Sequence, residues 1–403
     1  MHIAGVIVEY DPMHLGHVHL LRSIRRALGE DTAVVLAMSG DFVQRGGFAV
    51  VGRRARAAAA VRSGADLVLE VPVLWAVASA ERFAEGGVQV LLGTGLVDHL
   101  AFGSECGDGK LLMETARELC DPAFAPVLRQ ELSAGGGTYA SAYQRAARQV
   151  LGPERAAILD HPNDLLGLEY CKALARRNSA VDIFTVRRVL APHNAPQAQA
   201  AAASATAIRA LLRRGEREAA LGAMAPAMAA AYEEEERLGR APVLMERCER
   251  AILAQLRRMD AADFAALDGG KEGLGNRLYA ASRASSSVEA LLDAAKTRRY
   301  PHARLRRMVL WAYLGIGQSG MMESVPYLRV LAANAVGRTL LARMRKTAAL
   351  PVLTKPADVR RLGGEARSLF ALEARCADLY ALAYPDLAAA AGGRLWREGP
   401  VIL

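Results

Sequence analysis

The chain has 403 residues, 52% of them apolar and 23% charged, and a formal net charge of +9. Those values suit a globular protein with more than one core, exclude a disordered or fibrous chain, and favour an anionic partner. No apolar run is long enough to cross a bilayer, the first residues enter a strand pattern instead of a signal peptide, and Cys106, Cys120, Cys171, Cys248 and Cys376 are scattered without a Cys-x-x-Cys pair. A cytoplasmic protein with reduced thiols, no membrane partner and no zinc staple is therefore expected.

Ile3 to Val8 is an apolar, β-branched run, the pattern of a strand buried on both faces. Asp11-Pro12 ends it, and Leu15, Val18, Leu21, Ile24 and Leu28 then recur at helical spacing. At the junction stand His14 and His17, with Gly16 between them. A strand, a tight turn and a helix start present free backbone N–H groups and a positive dipole end, a setting suited to phosphate. Gly16 has no Cβ to hold a nucleotide away, and histidines three apart can share one face of a first turn. Two such imidazoles can donate hydrogen bonds to phosphate oxygens of ATP during attack at the α-phosphorus. Ordinary surface or core histidines, or a metal site with His19 as third ligand, are the competing readings.

Ala33 to Met38 reads as a second strand, ending in the polar loop Ser39-Gly-Asp-Phe-Val-Gln-Arg-Gly-Gly47 at the edge where α/β sheets bind ligands. A helix is expected from Arg53 to Arg62, a strand from Asp66 to Val71, a helix from about Ala76 to Leu92, and a strand from Val97 to Phe102 that runs into Gly103-Ser104-Glu105. Strand and helix alternate, so the fold class expected is α/β, a doubly wound parallel sheet of Rossmann-like type. Gly-x-Gly-x-x-Gly and the phosphate-cradling Gly-Lys-Ser/Thr are both absent, which argues against a dehydrogenase or a P-loop enzyme.

Leu111 to Leu151 is helical in pattern, with a Gly-rich interruption at 133–137. Next, Asn163 or Asp164 is expected to N-cap a helix from Leu165 to Leu174; for Asn163, ligand contact competes with that role. A fifth strand, Asp182 to Val189, carries Arg187 and Arg188, and an uncharged Ala-rich loop spans 195–207. It leads into Ser204-Ala-Thr-Ala-Ile-Arg209, where a capping hydroxyl and an arginine at a helix start make a second phosphate cradle. Beyond Glu233–Glu236 the strand signals fade, and helices are expected at 247–267, 285–296, 301–315, 325–347 and 365–384. The division expected is an ATP-binding catalytic domain over 1–232 and a mostly α-helical, basic domain over 233–403. Within the latter, Lys296, Arg298, Arg299, Arg304, Arg306 and Arg307 form a run without acids, interleaved with Tyr300 and His302. That mixture suits gripping RNA phosphates and stacking a base, against the competing reading of a solvated face.

The stretches Val8-Glu-Tyr-Asp-Pro-Met-His-Leu-Gly-His17, Met38-Ser-Gly-Asp-Phe-Val-Gln-Arg-Gly46, Phe102-Gly-Ser-Glu105, Pro162-Asn-Asp-Leu-Leu-Gly-Leu-Glu-Tyr170, Ser204-Ala-Thr-Ala-Ile-Arg209, Lys296-Thr-Arg-Arg-Tyr300 and Pro326-Tyr-Leu-Arg-Val330 follow one another in order. His-x-Gly-His resembles the nucleotidyltransferase signature, and the seven together resemble the bacterial tRNA(Met) cytidine acetate ligases over nearly the whole chain. The resemblance implies that acetate is activated by ATP as acetyl-adenylate, and that the acetyl group passes to N4 of the wobble cytidine (C34) of elongator tRNA(Met). Its ATP contacts would be Ile7, Val8, Glu9, Tyr10, Asp11, Pro12, Met13, His14, Leu15, Gly16, His17, Val18, His19, Leu20, Gly103, Asn163, Arg188 (with Arg187 next in register) and Ser204. His14, His17 and Arg209 would carry catalysis, with Mg²⁺ on the polyphosphate, no metal ligand assigned to the protein and no protein partner implied. A nucleotidyltransferase making a dinucleotide-type cofactor, and a catalytically weak tRNA-binding member, are the alternatives. The chain departs from the family in Asp11 and Asp41, where asparagine is usual, in Met13 for Phe, and in Gly47-Phe48 for Glu-Pro. The two aspartates add negative charge beside a triphosphate, which should weaken ATP binding unless a cation or a proton offsets it.

Overall fold

The structure is a computed structural model and describes residues 1–135, 138–188, 204–267, 269–271, 273–297, 300–317 and 320–403. Strand β1 (Ile3–Val8) is buried throughout. Ile3 and Ile7 enter one apolar core and Ala4, Val6 and Val8 the other, the period-2 alternation of a strand covered on both faces. Helix α1 (Leu15–Leu28) closes the second core with Val18, Leu21 and Ile24. Strand β2 (Ala33–Ser39) is split between the cores in the same way. The polar loop after β2 is a two-stranded hairpin, β3 (Phe42–Val43) and β4 (Gly47–Phe48), followed by α2 (Arg53–Arg62) and β5 (Leu67–Val71). Helix α3 (Ala80–Gly93), strand β6 (His99–Ser104), helix α4 (Pro162–Ala175) and strand β7 (Asp182–Arg187) complete the first half.

With three later strands, β8 (Leu328–Ala333), β9 (Val352–Leu353) and β10 (Val401–Ile402), the sheet runs β10-β8-β5-β2-β1-β6-β7, with β9 beside β8. Strands β5, β2, β1, β6 and β7 are parallel, and the order reverses at β1. A crevice therefore opens at the carboxyl ends of β1 and β6, the switch point at which such sheets take ligands.

Helix α5 (Ala205–Arg213) packs Ile208 and Leu212 into the core under α1. Several short helices lead to α6 (His302–Leu314), and the region expected to be mostly helical then returns to the sheet. Strand β8 (Leu328–Ala333) runs antiparallel to β5, α7 (Ala335–Thr347) follows, β9 (Val352–Leu353) and β10 (Val401–Ile402) pair with β8, and α8 (Gly364–Ala381) lies between them in sequence. The single helix expected over 325–347 is thus a strand followed by a helix. Leu-Arg-Val-Leu-Ala-Ala is short and alanine-rich, so its helical propensity is real, but burial along its whole length lets β pairing prevail. The helix expected from Ala76 also divides, into Val73–Ala76 and α3, because Ser79 caps a new start by accepting the Arg82 N–H. Val189 and residues 195–203 of the expected loop lie outside the described residues.

The join between β5 and the returning chain is ionic and buried. Arg53 Nη1 lies 2.7 Å from Glu70 Oε1, Arg53 Nη2 2.9 Å from Asp41 Oδ2, and Arg329 Nη1 2.9 Å from Glu70 Oε2. Beside them Glu373 accepts hydrogen bonds from the Tyr327 hydroxyl at 2.7 Å and the Val73 N–H at 3.2 Å. Burial, and then the nearby Glu70 carboxylate, push the Glu373 carboxyl up from 4.5 to about 7. The fold holds this group protonated, so its contribution to stability is present below pH 4.5 and is lost as pH rises through about 7. Thermal unfolding of the wild type should therefore fall relative to Glu373→Gln between those two pH values, with the two curves parallel outside the window.

Candidate nucleotide-binding site

His14 is the N-cap of α1, and the helix start is built as a capping box of two histidines. The Gly16 N–H donates to His14 Nδ1 at 3.1 Å, and the His14 N–H donates to His17 Nδ1 at 3.2 Å. A Cβ on Gly16 would stand 3.0 Å from the His14 ring, so the glycine makes room for the capping imidazole itself. The rings stack at 3.8 Å, and Tyr10, held at φ 49° in the left-handed region, packs 4.8 Å from His17. Because both Nδ1 atoms accept, the neutral rings carry their protons on Nε2. Burial and then Arg188 lower His14 to about 4; burial, then His14 and Arg188, hold His17 well below its ordinary value. Near neutral pH both are uncharged Nε2–H donors.

These donors border a cavity of about 590 Å³ at the carboxyl ends of β1, β6 and β7. Of the residues expected at a nucleotide, Ile7, Val8, Glu9, Tyr10, Asp11, His14, Gly16, His17, His19, Leu20, Gly103, Asn163, Arg187, Arg188 and Ser204 line it, as does Arg209. Pro12, Met13, Leu15 and Val18 do not: Met13 and Val18 are taken into the core and Leu15 is exposed on another face of the helix. Sequence reasoning missed Gln44, Phe102, Leu166 and Tyr170. Asn163, Leu166 and Tyr170 occur at i, i+3 and i+7 of α4, a helical face that was available as a signal.

The N-cap expectation for α4 is corrected. His161 is the N-cap residue without a side-chain bond, and the end is satisfied instead by Glu105, which accepts the Asn163 and Asp164 N–H groups at 3.4 and 2.9 Å. Asp164 is fully buried and returns the favour, accepting from the Glu105 and Cys106 N–H groups at 2.9 Å and from the Ser104 hydroxyl. A reciprocal bond between two segments satisfies more orphan donors than a local cap does. Asn163 is left at the cavity with its Oδ1 3.5 Å from Arg188 Nη1. Ser204 does cap α5, accepting from the Ala207 N–H at 3.2 Å.

Both extra aspartates are matched by arginines. Asp11 accepts the Val50 N–H at 2.8 Å and lies 3.5 Å from Arg209, whose other nitrogen reaches Thr206. Asp41 receives both the backbone N–H and the guanidinium of Arg53, and it faces away from this cavity. Among the described residues, the group with metal-ligand spacing is His2, Asp98 and His99, at the opposite end of β1 and β6; His19 instead lies 3.5 Å from the Ser23 hydroxyl.

In the basic run, Lys296 and Arg306 are exposed and Arg307 is half-buried. Arg304 donates to the Gly269 carbonyl and lies over the Tyr300 ring at 5.4 Å. Tyr300 is only 4% exposed, so it is a core residue and offers no face to a base, a correction to the stacking role expected of it. Arg298 and Arg299 lie outside the described residues. The run is tied to the cavity by the β3–β4 hairpin: Gln44 lines the cavity, while a Cβ on Gly46 (φ +77°) would meet the Arg306 and Arg307 backbone at 2.5–2.6 Å. Phe48 stacks on Tyr313 and Tyr380 at 6.0 and 5.9 Å, which fastens the hairpin to α6 and α8.

No helix among the described residues is long and apolar enough to cross a membrane. The profile of the HIGH Nucleotidyl Transferase family matches residues 1–394. The tRNA(Met) cytidine acetate ligase of Acetivibrio thermocellus is 31% identical, covering all of both chains. That of Caldanaerobacter subterraneus is 34% identical over 96% of this chain and 97% of its own. The crystal structure of Thermotoga maritima TmcAL bound with alpha-thio ATP superposes with a TM-score of 0.93 at 30% identity, covering all of both chains. The chain belongs to the HIGH nucleotidyl transferases and, within them, to the tRNA(Met) cytidine acetate ligase family.

Proposed function

We propose that this protein activates acetate with ATP as acetyl-adenylate and transfers the acetyl group to N4 of C34 in elongator tRNA(Met), forming N4-acetylcytidine. The observation that carries the reading is the end-to-end superposition on a relative crystallised with an ATP analogue, with the histidine pair at the mouth of the same sheet. Acetate is ionised at neutral pH, so the first step requires no base. Its oxygen attacks the α-phosphorus and pyrophosphate leaves with the bonding pair. The protein supplies orientation and donors for the charge that moves onto the phosphates. His14 and His17 offer Nε2–H groups that stay neutral, and Arg209 offers a guanidinium whose charge is shared with Asp11. Mg²⁺ would travel with ATP as part of the substrate, held by phosphate oxygens and water, where it would neutralise polyphosphate charge.

In this reading residues 1–232 handle ATP and acetate and residues 233–403 dock the tRNA, although β8, β9 and β10 of the second stretch belong to the sheet. The basic run would hold phosphates while the hairpin brings the anticodon loop to the cavity mouth. C34 is already single-stranded there, so presenting it costs less than flipping a base from a duplex.

Nucleoside mass spectrometry of tRNA incubated with the protein, ATP and acetate should reveal N4-acetylcytidine; its absence, with no acetate-dependent pyrophosphate exchange, would count against the proposal. His14→Asn keeps a good helix cap but moves the donor, and should lower acetate-dependent pyrophosphate exchange by about 100-fold while tRNA binding holds. Asp11→Asn releases Arg209 toward the triphosphate, and should tighten ATP binding by roughly threefold in low-salt calorimetry. Replacing Arg298, Arg299 and Arg306 by alanine should weaken tRNA binding and reduce the slope of log K against log salt by about 2.

A further inference from the structure

Acetyl transfer requires a proton acceptor, because cytosine N4 carries a proton it must lose once bonded to the acetyl carbon. Most groups around the cavity are unable to take it. His14 and His17 already carry their protons on Nε2, and their Nδ1 atoms are occupied by backbone N–H groups. Burial raises Tyr10 and Tyr170, which therefore keep their phenolic protons. Asp11 accepts the Val50 N–H on one oxygen, and its other oxygen, which accepts no hydrogen bond, is sealed from solvent 3.5 Å from the Arg209 guanidinium. Besides Asp11, the cavity wall has one carboxylate among the described residues, that of Glu9.

Glu9 leaves β1 at its carboxyl end, where Arg56 bonds its carbonyl oxygen and fixes the backbone. One carboxylate oxygen accepts the Gln44 N–H at 2.6 Å. The other accepts no hydrogen bond among the described residues, yet it is not sealed from solvent. Gln44 stands one residue from Arg45 and two from Gly46, the contact with Arg306 and Arg307. Glu9 thus lies on the side of the cavity that the hairpin links to the basic run.

We infer that Glu9 is the catalytic base of acetyl transfer, taking the N4 proton of the cytosine at the carboxylate oxygen that Gln44 leaves open. The inference rests on the acetate-ligase reading above. The acetyl carbon forms a bond to N4, its bond to the AMP phosphate oxygen breaks with the electron pair leaving on AMP, and the proton passes from N4 to Glu9 and then to water. Protein around the carboxyl raises its pKa, most by burial; the Gln44 N–H opposes this, Asp11 adds to it, and Arg209 and Arg56 oppose it. Tyr170 of α4 also faces it and stays uncharged. A carboxylate moved up toward neutrality is a better match for accepting a proton in this step.

The test separates the half-reactions in the full-length protein. Glu9→Gln keeps an oxygen for the Gln44 N–H and should slow single-turnover transfer from enzyme-bound acetyl-adenylate to tRNA by about 100-fold. Pyrophosphate exchange, and trapping of the adenylate by hydroxylamine, should fall by at least tenfold less. Wild-type transfer should rise with pH along a limb above the ordinary carboxylate range, and Glu9→Gln should lack that limb. Glu9→Asp, which restores a carboxylate, should transfer at least tenfold faster than Glu9→Gln. Parallel losses in transfer and trapping would overturn the inference, leaving Glu9 with a part in holding the nucleotide. So would unchanged transfer in Glu9→Gln, or a greater transfer loss from His19→Asn at the exposed rim. If the wild type shows no acetate-dependent exchange, the acetate-ligase reading itself fails and takes the inference with it.

Discussion

One buried guanidinium sets the geometry from which the site follows. Arg56 is fully buried and donates to the carbonyl oxygens of Glu9, Ser39 and Gly40, where β1 and β2 run out of sheet partners, and to that of Val51 ahead of α2. Carbonyls at the carboxyl ends of parallel strands would otherwise be desolvated without donors, which is costly in a protein interior. Arg56 answers three of them, and the Val51 carbonyl ahead of its own helix, from one rigid fork, and ties the turn after β1 to the loop after β2. Glu9, Tyr10 and Asp11 leave the sheet on one side of that fork and the hairpin leaves on the other, so the cavity wall has little freedom.

Around this fixed point the structure answers its departures from the family locally. Asp11 and Asp41 occupy positions where a neutral amide is usual, and each meets an arginine, Arg209 for the first and Arg53 for the second. Only the Asp11 pair borders the cavity, so only that exchange of charge is felt by a triphosphate. Phe48 takes up aromatic packing with Tyr313 and Tyr380. Met13 fills fully buried space in the core beneath α1.

What could be read in the sequence was whatever has a local cause. Strands β1 and β2 show as β-branched runs, α2 is bounded by the residues expected of it, and the histidine pair falls at the strand-to-helix junction. The capping box of two imidazoles was half legible: the i, i+3 spacing was visible, but the backbone bonds that fix each tautomer were not. Features made by distant segments stayed hidden. Glu105 capping α4 in place of Asn163 or Asp164, β8 pairing with β5, and Tyr300 turning inward each depend on a neighbour far along the chain. Cys248 is a free thiol beside the Tyr313 hydroxyl, a contact that also depends on a distant segment.

The pairing of β5 with β8 also bears on how the chain survives its own synthesis. Until the ribosome has made Ala333, one edge of β5 is open, and Leu-Val-Leu-Glu-Val is an adhesive segment for any other unpaired strand. Glu70 is the fourth of those five residues, and until its second partner arrives its carboxylate, held on one oxygen by Arg53, disfavours docking by strangers. Arg329 arrives on the strand that belongs alongside and meets the other carboxylate oxygen. The residue that guards the nascent edge thus becomes the one that admits its rightful neighbour.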